Sequence, residues 1–219
     1  MDKAFRDRTE AGRRLAENLT TYANRVGVIV LALPRGGVPV GYEVAHALGL
    51  PLDVLIVRKL GMPGHEELAM GAIASGDVRV LNDEVVWRVP NPDAAIRMAT
   101  NRERYELERR ELEYRDGRPA PELRGRTVIL VDDGLATGSS MRAAVAALRE
   151  RGVAKLIVAV PVGSQETCVK LRTEVDEVIC LSAPRAFRAV GQFYKDFAQT
   201  SDQEVRELLA RASAERVSP

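Results

Sequence analysis

The run Thr127-Val-Ile-Leu-Val131 constrains this chain more than any other segment. It is unbroken, apolar and rich in β-branched residues, the pattern of a strand buried on both faces in a parallel sheet. Two carboxylates, Asp132 and Asp133, follow without a spacer, and Gly134-Leu-Ala-Thr-Gly-Ser-Ser140 then leads into a helical pattern from Met141 to Arg151. Open α/β sheets bind ligands at the carboxyl ends of their strands, so the acidic pair is predicted at a binding edge. Thr137-Gly138-Ser139-Ser140 offers backbone N–H groups, hydroxyls and a helix N-terminus, a combination suited to a dianionic phosphate. Carboxylates beside a phosphate nest are compatible when the ligand is a sugar phosphate. The carboxylates accept hydrogen bonds from vicinal ribose hydroxyls while the nest takes the 5′-phosphate. The simpler alternative is a strand–turn–helix whose aspartates cap the helix start.

A second segment repeats the pattern. Val28-Ile-Val-Leu-Ala-Leu33 reads as another buried strand, followed by Pro34-Arg35-Gly36-Gly37 and a helix from Val38 to Leu48. Two glycines let a backbone approach a ligand closely, and Arg35 adds a bidentate cation suited to phosphate oxygens. The chain contains neither a G-x-x-x-x-G-K-[ST] phosphate loop nor, at its acidic turn, the G-x-G-x-x-G of a dinucleotide site.

Further strands are predicted at about Leu52–Val57, Val78–Leu81, Leu156–Val160 and Glu177–Leu181, with helical patterns between most of them. Such alternation implies an α/β fold: a Rossmann-like open, mainly parallel sheet with helices on both faces. Phe5 to Tyr22 reads as a helix with Leu15 and Leu19 on one face. Ser201 to Ala214 reads as a terminal helix with Ser201 or Asp202 as N-cap. Two insertions interrupt the alternation. Arg58 to Glu67, rich in glycine, proline and charge, is predicted as a loop leaving a strand end. Residues 92–117 form a charge-dense helix in which Met98, Tyr105 and Leu112 recur at seven-residue spacing as a thin apolar stripe, suited to a hood or a dimer contact. The length suits a single domain over 1–219, with a mobile loop at about 58–76 and the helical insertion at about 92–117.

With 32 basic against 31 acidic side chains there is no global field to attract nucleic acid or a membrane surface. No apolar run approaches a membrane span, and the charged N-terminus lacks a signal-peptide core, so a cytoplasmic location is expected. Cys168 and Cys180 lack metal-ligand spacing and are expected as reduced thiols in a helix and a strand.

The segment Val128 to Ser140 closely resembles the phosphoribosyl pyrophosphate (PRPP) binding motif of the type I phosphoribosyltransferases. Pro34-Arg35-Gly36-Gly37, about a hundred residues upstream between a strand and a helix, resembles their pyrophosphate loop, in which a cis peptide often precedes the basic residue. The resemblance implies Mg²⁺-dependent transfer of ribose 5-phosphate from PRPP to a small nitrogenous acceptor, with release of pyrophosphate. It implies Asp132 and Asp133 at the ribose and, directly or through water, at the metal. Gly134, Ala136, Thr137, Gly138, Ser139 and Ser140 would bind substrate around the 5′-phosphate, and Arg35, Gly36 and Gly37 would bind pyrophosphate. Arg58 and Lys59, on a loop that closes over PRPP to exclude water, would neutralise the leaving pyrophosphate. The catalytic set is then Asp132, Asp133, Arg35 and Lys59. Phe187 lies where purine-using relatives read the base and is a candidate stacking residue. The alternative is that Phe187, Phe193, Tyr194 and Phe197 simply pack in the core or against another copy. His65 receives no role, and a homodimer is expected.

The pattern also departs from its relatives. Ala136 stands where 6-oxopurine enzymes carry an aspartate, and Pro161-Val162-Gly163 stands where they carry a lysine. The residues after Lys59 lack the cation-rich run of the orotate enzymes. The acceptor is therefore unassigned, and a PRPP- or nucleotide-sensing regulatory module with little catalysis is the alternative reading.

Overall fold

A computed structural model describes residues 5–215. The chain begins with α1 (Arg8–Ala16), β1 (Val28–Ala32), α2 (Gly37–Leu48) and β2 (Leu52–Val54). Three strands follow, β3 (Val57–Met62), β4 (His65–Ala74) and β5 (Val78–Leu81), then a short α3 (Asp83–Val86) and the long α4 (Pro92–Arg115). The remainder is β6 (Thr127–Val131), α5 (Ser139–Glu150), β7 (Lys155–Val162), α6 (Gln165–Leu171), β8 (Glu177–Ser182) and α7 (Asp202–Glu215).

The main sheet has five parallel strands in the order β2-β1-β6-β7-β8. Its pleat sorts the apolar residues by face. Ile29, Leu31, Val128, Leu130, Leu156 and Val158 pack with α5 and α6 through Met141, Leu148 and Leu171. Val28, Val30, Ile129, Val131, Ile157 and Ala159 pack with α1 and α2 through Leu15, Val40 and Val44. Helices thus cover both faces, which is why these strands carry no polar alternation. The fold class read from the sequence holds. In the β1–β6 register Ala32 sits beside Val131, so the two loops that leave these strands lie next to each other at one edge.

A smaller antiparallel sheet, β3-β4-β5, stands apart from the main one. Leu60, Met70 and Ile73 from it share a core with Ile96 and Leu107 of α4 and Val205 of α7. Several sequence expectations are corrected in this region. The segment from Arg58 to Glu67 is a β-hairpin, with Met62 paired to His65 across its turn, and not an irregular loop. Its glycines, proline and charges mimic a loop because the hairpin is partly exposed. The strand expected over Leu52–Val57 is two strands, since β2 stops at Val54 and Val57 opens β3 in the other sheet. Val78–Leu81 is a strand, but an antiparallel one.

One helix also differs from expectation, and a second packs through a face the spacing did not mark. The first spans only Arg8–Ala16, because Asp7 caps it by accepting a hydrogen bond from the Glu10 N–H; a short 3₁₀ turn follows at Thr20–Tyr22. Leu15 and Leu19 are both buried. In α4 the helix forms as expected and its stripe faces solvent in the single chain: Met98, Tyr105 and Leu112 are 75%, 75% and 70% exposed. The inward face is instead built from Ala95, Ile96, Ala99, Leu107 and Tyr114. Small residues let the helix lie close to β3, and that contact outweighs the larger but isolated side chains opposite. Among the described residues no helix is long and apolar enough to cross a membrane. Cys168 in α6 and Cys180 in β8 are free thiols.

One buried cation fixes α4 to the main sheet. Arg115 is 6% exposed at its side chain, donates to Asp53 at 3.1 Å and to the Val54 carbonyl at 3.0 Å, and pairs with Glu111 at 2.8 Å. Removing one member of a buried pair leaves an uncompensated charge, which costs about 3–5 kcal/mol. Arg115→Ala is therefore expected to lower the thermal unfolding midpoint by several degrees, followed by circular dichroism. An unchanged midpoint would show that the pair does not anchor the helix.

Candidate active site

The edge where β1 and β6 end gathers three segments: the Pro34–Gly37 turn, the Asp132–Ser140 loop and the stretch around Tyr194. The Pro34–Arg35 peptide bond is cis. Gly36 follows directly under the acidic pair; a Cβ there would lie 2.0 Å from Asp133 Oδ2 and 2.7 Å from its Cγ. Gly37 is close to the Val131 carbonyl, 2.9 Å from such a Cβ. Both glycines are explained by the approach of two loops, with the carboxylates filling the space where side chains would stand.

The acidic pair is asymmetric. Asp132 Oδ1 accepts the Asp133 N–H at 2.8 Å, which folds that side chain back along its own loop. Asp133 Oδ2 accepts from Nε of Arg8 at 2.8 Å and pairs with its Nη2 at 2.8 Å. Among the described residues the other two oxygens, Asp132 Oδ2 and Asp133 Oδ1, have no hydrogen-bond partner, and neither is sealed from solvent. Burial and the adjacent Asp133 push the Asp132 carboxyl well above the usual range. Burial also raises Asp133, opposed by the Arg8 guanidinium. Two carboxylates in this state would be relieved by a cation or by hydroxyl donors.

Beyond the pair the loop is pinned from below. The Ala136 carbonyl accepts from Thr167 Oγ1 at 2.7 Å and Ser164 Oγ at 3.3 Å, and Leu135 forms a parallel bridge with Gly163. Gly138 is left-handed at φ +73°, and a Cβ there would also strike Thr167 Cγ2 at 2.5 Å. It turns the chain into α5, where the Thr137 and Ser139 hydroxyls lie 3.3 Å apart at the helix start. The first N–H groups of a helix lack intrahelical partners. This turn therefore presents open donors to an anion. Gly134 is covered on the other side by Val190, whose Cγ1 would be 2.4 Å from an added Cβ.

The expected cations are distributed unevenly. Arg35 pairs loosely with Asp202 at 3.6 Å, and the Tyr114 hydroxyl bonds the same aspartate, so this arginine points toward α7 and keeps donors free. Successive residues of β3 point to opposite faces. Arg58 is drawn to α4, where it pairs with Glu103 at 2.7 Å. Lys59 lines a cleft of about 510 Å³ between the smaller sheet and α5, shared with Ser139 and Arg142, and has no ion pair among the described residues. Phe187 is half-buried and stacks on Phe193, ring centres 5.3 Å apart. His65 sits exposed at the hairpin turn.

Of three further contributors, Arg8 went unread in the sequence, and Tyr194 and Phe197 were read there only as packing residues, a role Tyr194 also fills in a buried cluster with Phe5 and Phe193. Arg8 reaches the site from α1, 125 residues away in the chain. The Tyr194 hydroxyl donates to the Asp133 carbonyl at 2.6 Å. Phe197 lies under the Arg8 guanidinium, 3.9 Å from its ring centre. No local pattern marks any of them as a site residue, because each acts through a contact between distant segments.

Among the described residues no group of three or more His, Cys, Asp or Glu is placed to hold a metal ion by itself. The acidic pair offers two hard oxygen donors. That matches the habit of Mg²⁺, which takes one or two carboxylates and completes its shell with water and substrate phosphates. The donor set fits this ion.

Comparison with known proteins agrees with the geometry. The phosphoribosyl transferase domain model matches residues 4–198. Curated proteins of two Mycobacterium tuberculosis strains, each named "putative phosphoribosyl transferase", are 49% identical over 211 residues, covering 96% of this chain and 47% of theirs. The chain thus spans about half the length of these relatives. A Thermus thermophilus protein of known crystal structure superposes with a TM-score of 0.84 at 42% identity, covering 94% of this chain and 98% of that one. An Aquifex aeolicus structure at 12% identity, covering 84% and 76%, shares the fold with a TM-score of 0.51.

Proposed function

Because this chain belongs to the phosphoribosyl transferase domain family, we propose that it transfers ribose 5-phosphate from PRPP to a small nitrogenous acceptor and releases pyrophosphate. One observation carries the reading: adjacent carboxylates, each with one free oxygen, stand beside a helix-opening turn with open N–H and hydroxyl donors. Two free carboxylate oxygens match the two vicinal hydroxyls of a ribose, and the turn matches its phosphate.

In this reading Asp132 and Asp133 bind and orient the ribose. As the bond from C1 to the leaving oxygen lengthens, positive charge develops on the ring, and the fixed carboxylates favour it electrostatically. Thr137, Gly138, Ser139 and Ser140 anchor the 5′-phosphate. Gly36 and Gly37 would back the pyrophosphate, and Arg35, which points toward α7, would turn from Asp202 to bring its free donors there. Lys59 is the better candidate for a second cation there, since Arg58 is already committed to Glu103. The acidic pair would hold Mg²⁺, which when bound offsets phosphate charge and stabilises the leaving group. The segment carrying Phe187 and Val190, which packs over Gly134, is assigned to the acceptor side. No side chain is required as a general base, because an acceptor nitrogen attacks through its own lone pair.

The test is pyrophosphate release from PRPP and Mg²⁺ in the presence of a panel of purines, pyrimidines and small amines. Release that depends on one acceptor is the expected result and identifies that acceptor. PRPP binding without any acceptor-dependent release would favour the regulatory reading, which the missing purine determinants at Ala136 and Pro161–Gly163 motivate.

A further inference from the structure

Arg8 opens α1, yet its side chain is only 12% exposed and does nothing for its own helix. It leaves α1 for the acidic pair, placing Nε and Nη2 on the single oxygen Asp133 Oδ2. Its Nη1 donates to the Ala198 carbonyl at 2.6 Å, and its plane rests on the Phe197 ring. The guanidinium is therefore held on three sides. Asp133 is in turn held at both ends, by Arg8 at its carboxylate and by the Tyr194 hydroxyl at its carbonyl. A carboxylate rotates freely about its last bond unless a fixed donor selects one oxygen. A planar fork that is itself immobilised does so with directional, charge-assisted bonds.

We propose that Arg8 is a positioning residue of the ribose site. By taking Asp133 Oδ2 it fixes the carboxylate's rotation and leaves Oδ1 as the oxygen offered to a ribose hydroxyl. The inference rests on the PRPP reading given above. It distinguishes the two halves of the substrate: Arg8 governs recognition of the ribose, and pyrophosphate recognition is independent of it. A simple structural clamp between α1 and the Phe197 segment would not make that distinction.

The experiment is calorimetric titration of PRPP and, separately, inorganic pyrophosphate, each with Mg²⁺, into the wild-type chain, Arg8→Gln, Arg8→Lys and Phe197→Leu. Arg8→Gln is expected to weaken PRPP about tenfold or more, the scale of a lost hydrogen bond to a charged group, and to leave pyrophosphate affinity unchanged. Arg8→Lys should recover part of the loss. Phe197→Leu, which removes one support of the guanidinium but keeps the ion pair, should weaken PRPP less than Arg8→Gln does and leave pyrophosphate affinity unchanged. If Arg8→Gln fails to fold, the same selective loss in Arg8→Lys carries the test. Unchanged PRPP affinity in the Arg8 variants, or equal loss of both ligands in them, overturns the positioning role while the PRPP reading stands. A wild-type chain that binds no PRPP overturns both.

Discussion

Asp133→Asn is expected to keep the fold and lower turnover by about two to three orders of magnitude, the loss typical when one preorganised electrostatic group is removed from a reacting centre. Asparagine has nearly the same shape, and its amide oxygen still accepts from Arg8, so the ion pair becomes a neutral hydrogen bond without leaving a void. On the proposed reading, what disappears is a negative charge that would favour the positive charge developing on the ribose. The check is pyrophosphate release with whichever acceptor stimulates the wild type, alongside far-ultraviolet circular dichroism. A folded variant with near-normal turnover would remove Asp133 from the chemistry.

The second large effect is expected from Gly36→Ala, a change of one methyl group. The new carbon would lie 2.0 Å from Asp133 Oδ2 and 3.3 Å from Arg8 Nε. A free aspartate would swing aside at little cost, but this one is held by Arg8 and Tyr194. Relief therefore comes from breaking the Arg8 pair or parting the two loops. Overpacking of this kind costs about 1–3 kcal/mol. Because the strain falls on the acidic pair and not on the core, PRPP affinity should drop about tenfold or more while the unfolding midpoint falls only a few degrees. Wild-type affinity in this variant would mean that the Pro34–Gly37 turn and the acidic pair do not work as one site.

The parallel sheet was legible because its strands are buried on both faces, and unbroken runs such as Val128–Val131 and Leu156–Val160 have no other common home. Asp132, Asp133 and the Thr137–Ser140 turn were legible for a related reason: they follow such a strand without a gap. The β3–β4 hairpin was not. Lys59, Pro63 and Gly64 give its outer part a loop composition, and the buried Leu60 and Met70 are too far apart in sequence to signal a strand. In α4 the even spacing of Met98, Tyr105 and Leu112 marked an apolar stripe, which stands exposed, whereas the contact with the smaller sheet is made on another face that includes Ala95 and Ala99, which the spacing did not single out. Small residues hide an interface from any reading that weights side-chain size. The cations after β2 illustrate the same limit. Arg58 and Lys59 are neighbours in sequence, but the pleat sends one to Glu103 and the other into the cleft beside Ser139. Arg8 belongs to a third kind of miss, since only the folded chain brings α1 against Asp133.

The most direct test of the ribose–phosphate site is equilibrium titration of PRPP with Mg²⁺ into the wild-type chain and into the Asp132→Asn, Asp133→Asn double variant. Binding of one PRPP per wild-type chain, lost or weakened by orders of magnitude in the double variant, is the expected result. No binding to the wild type, or equal affinity for both proteins, would contradict it.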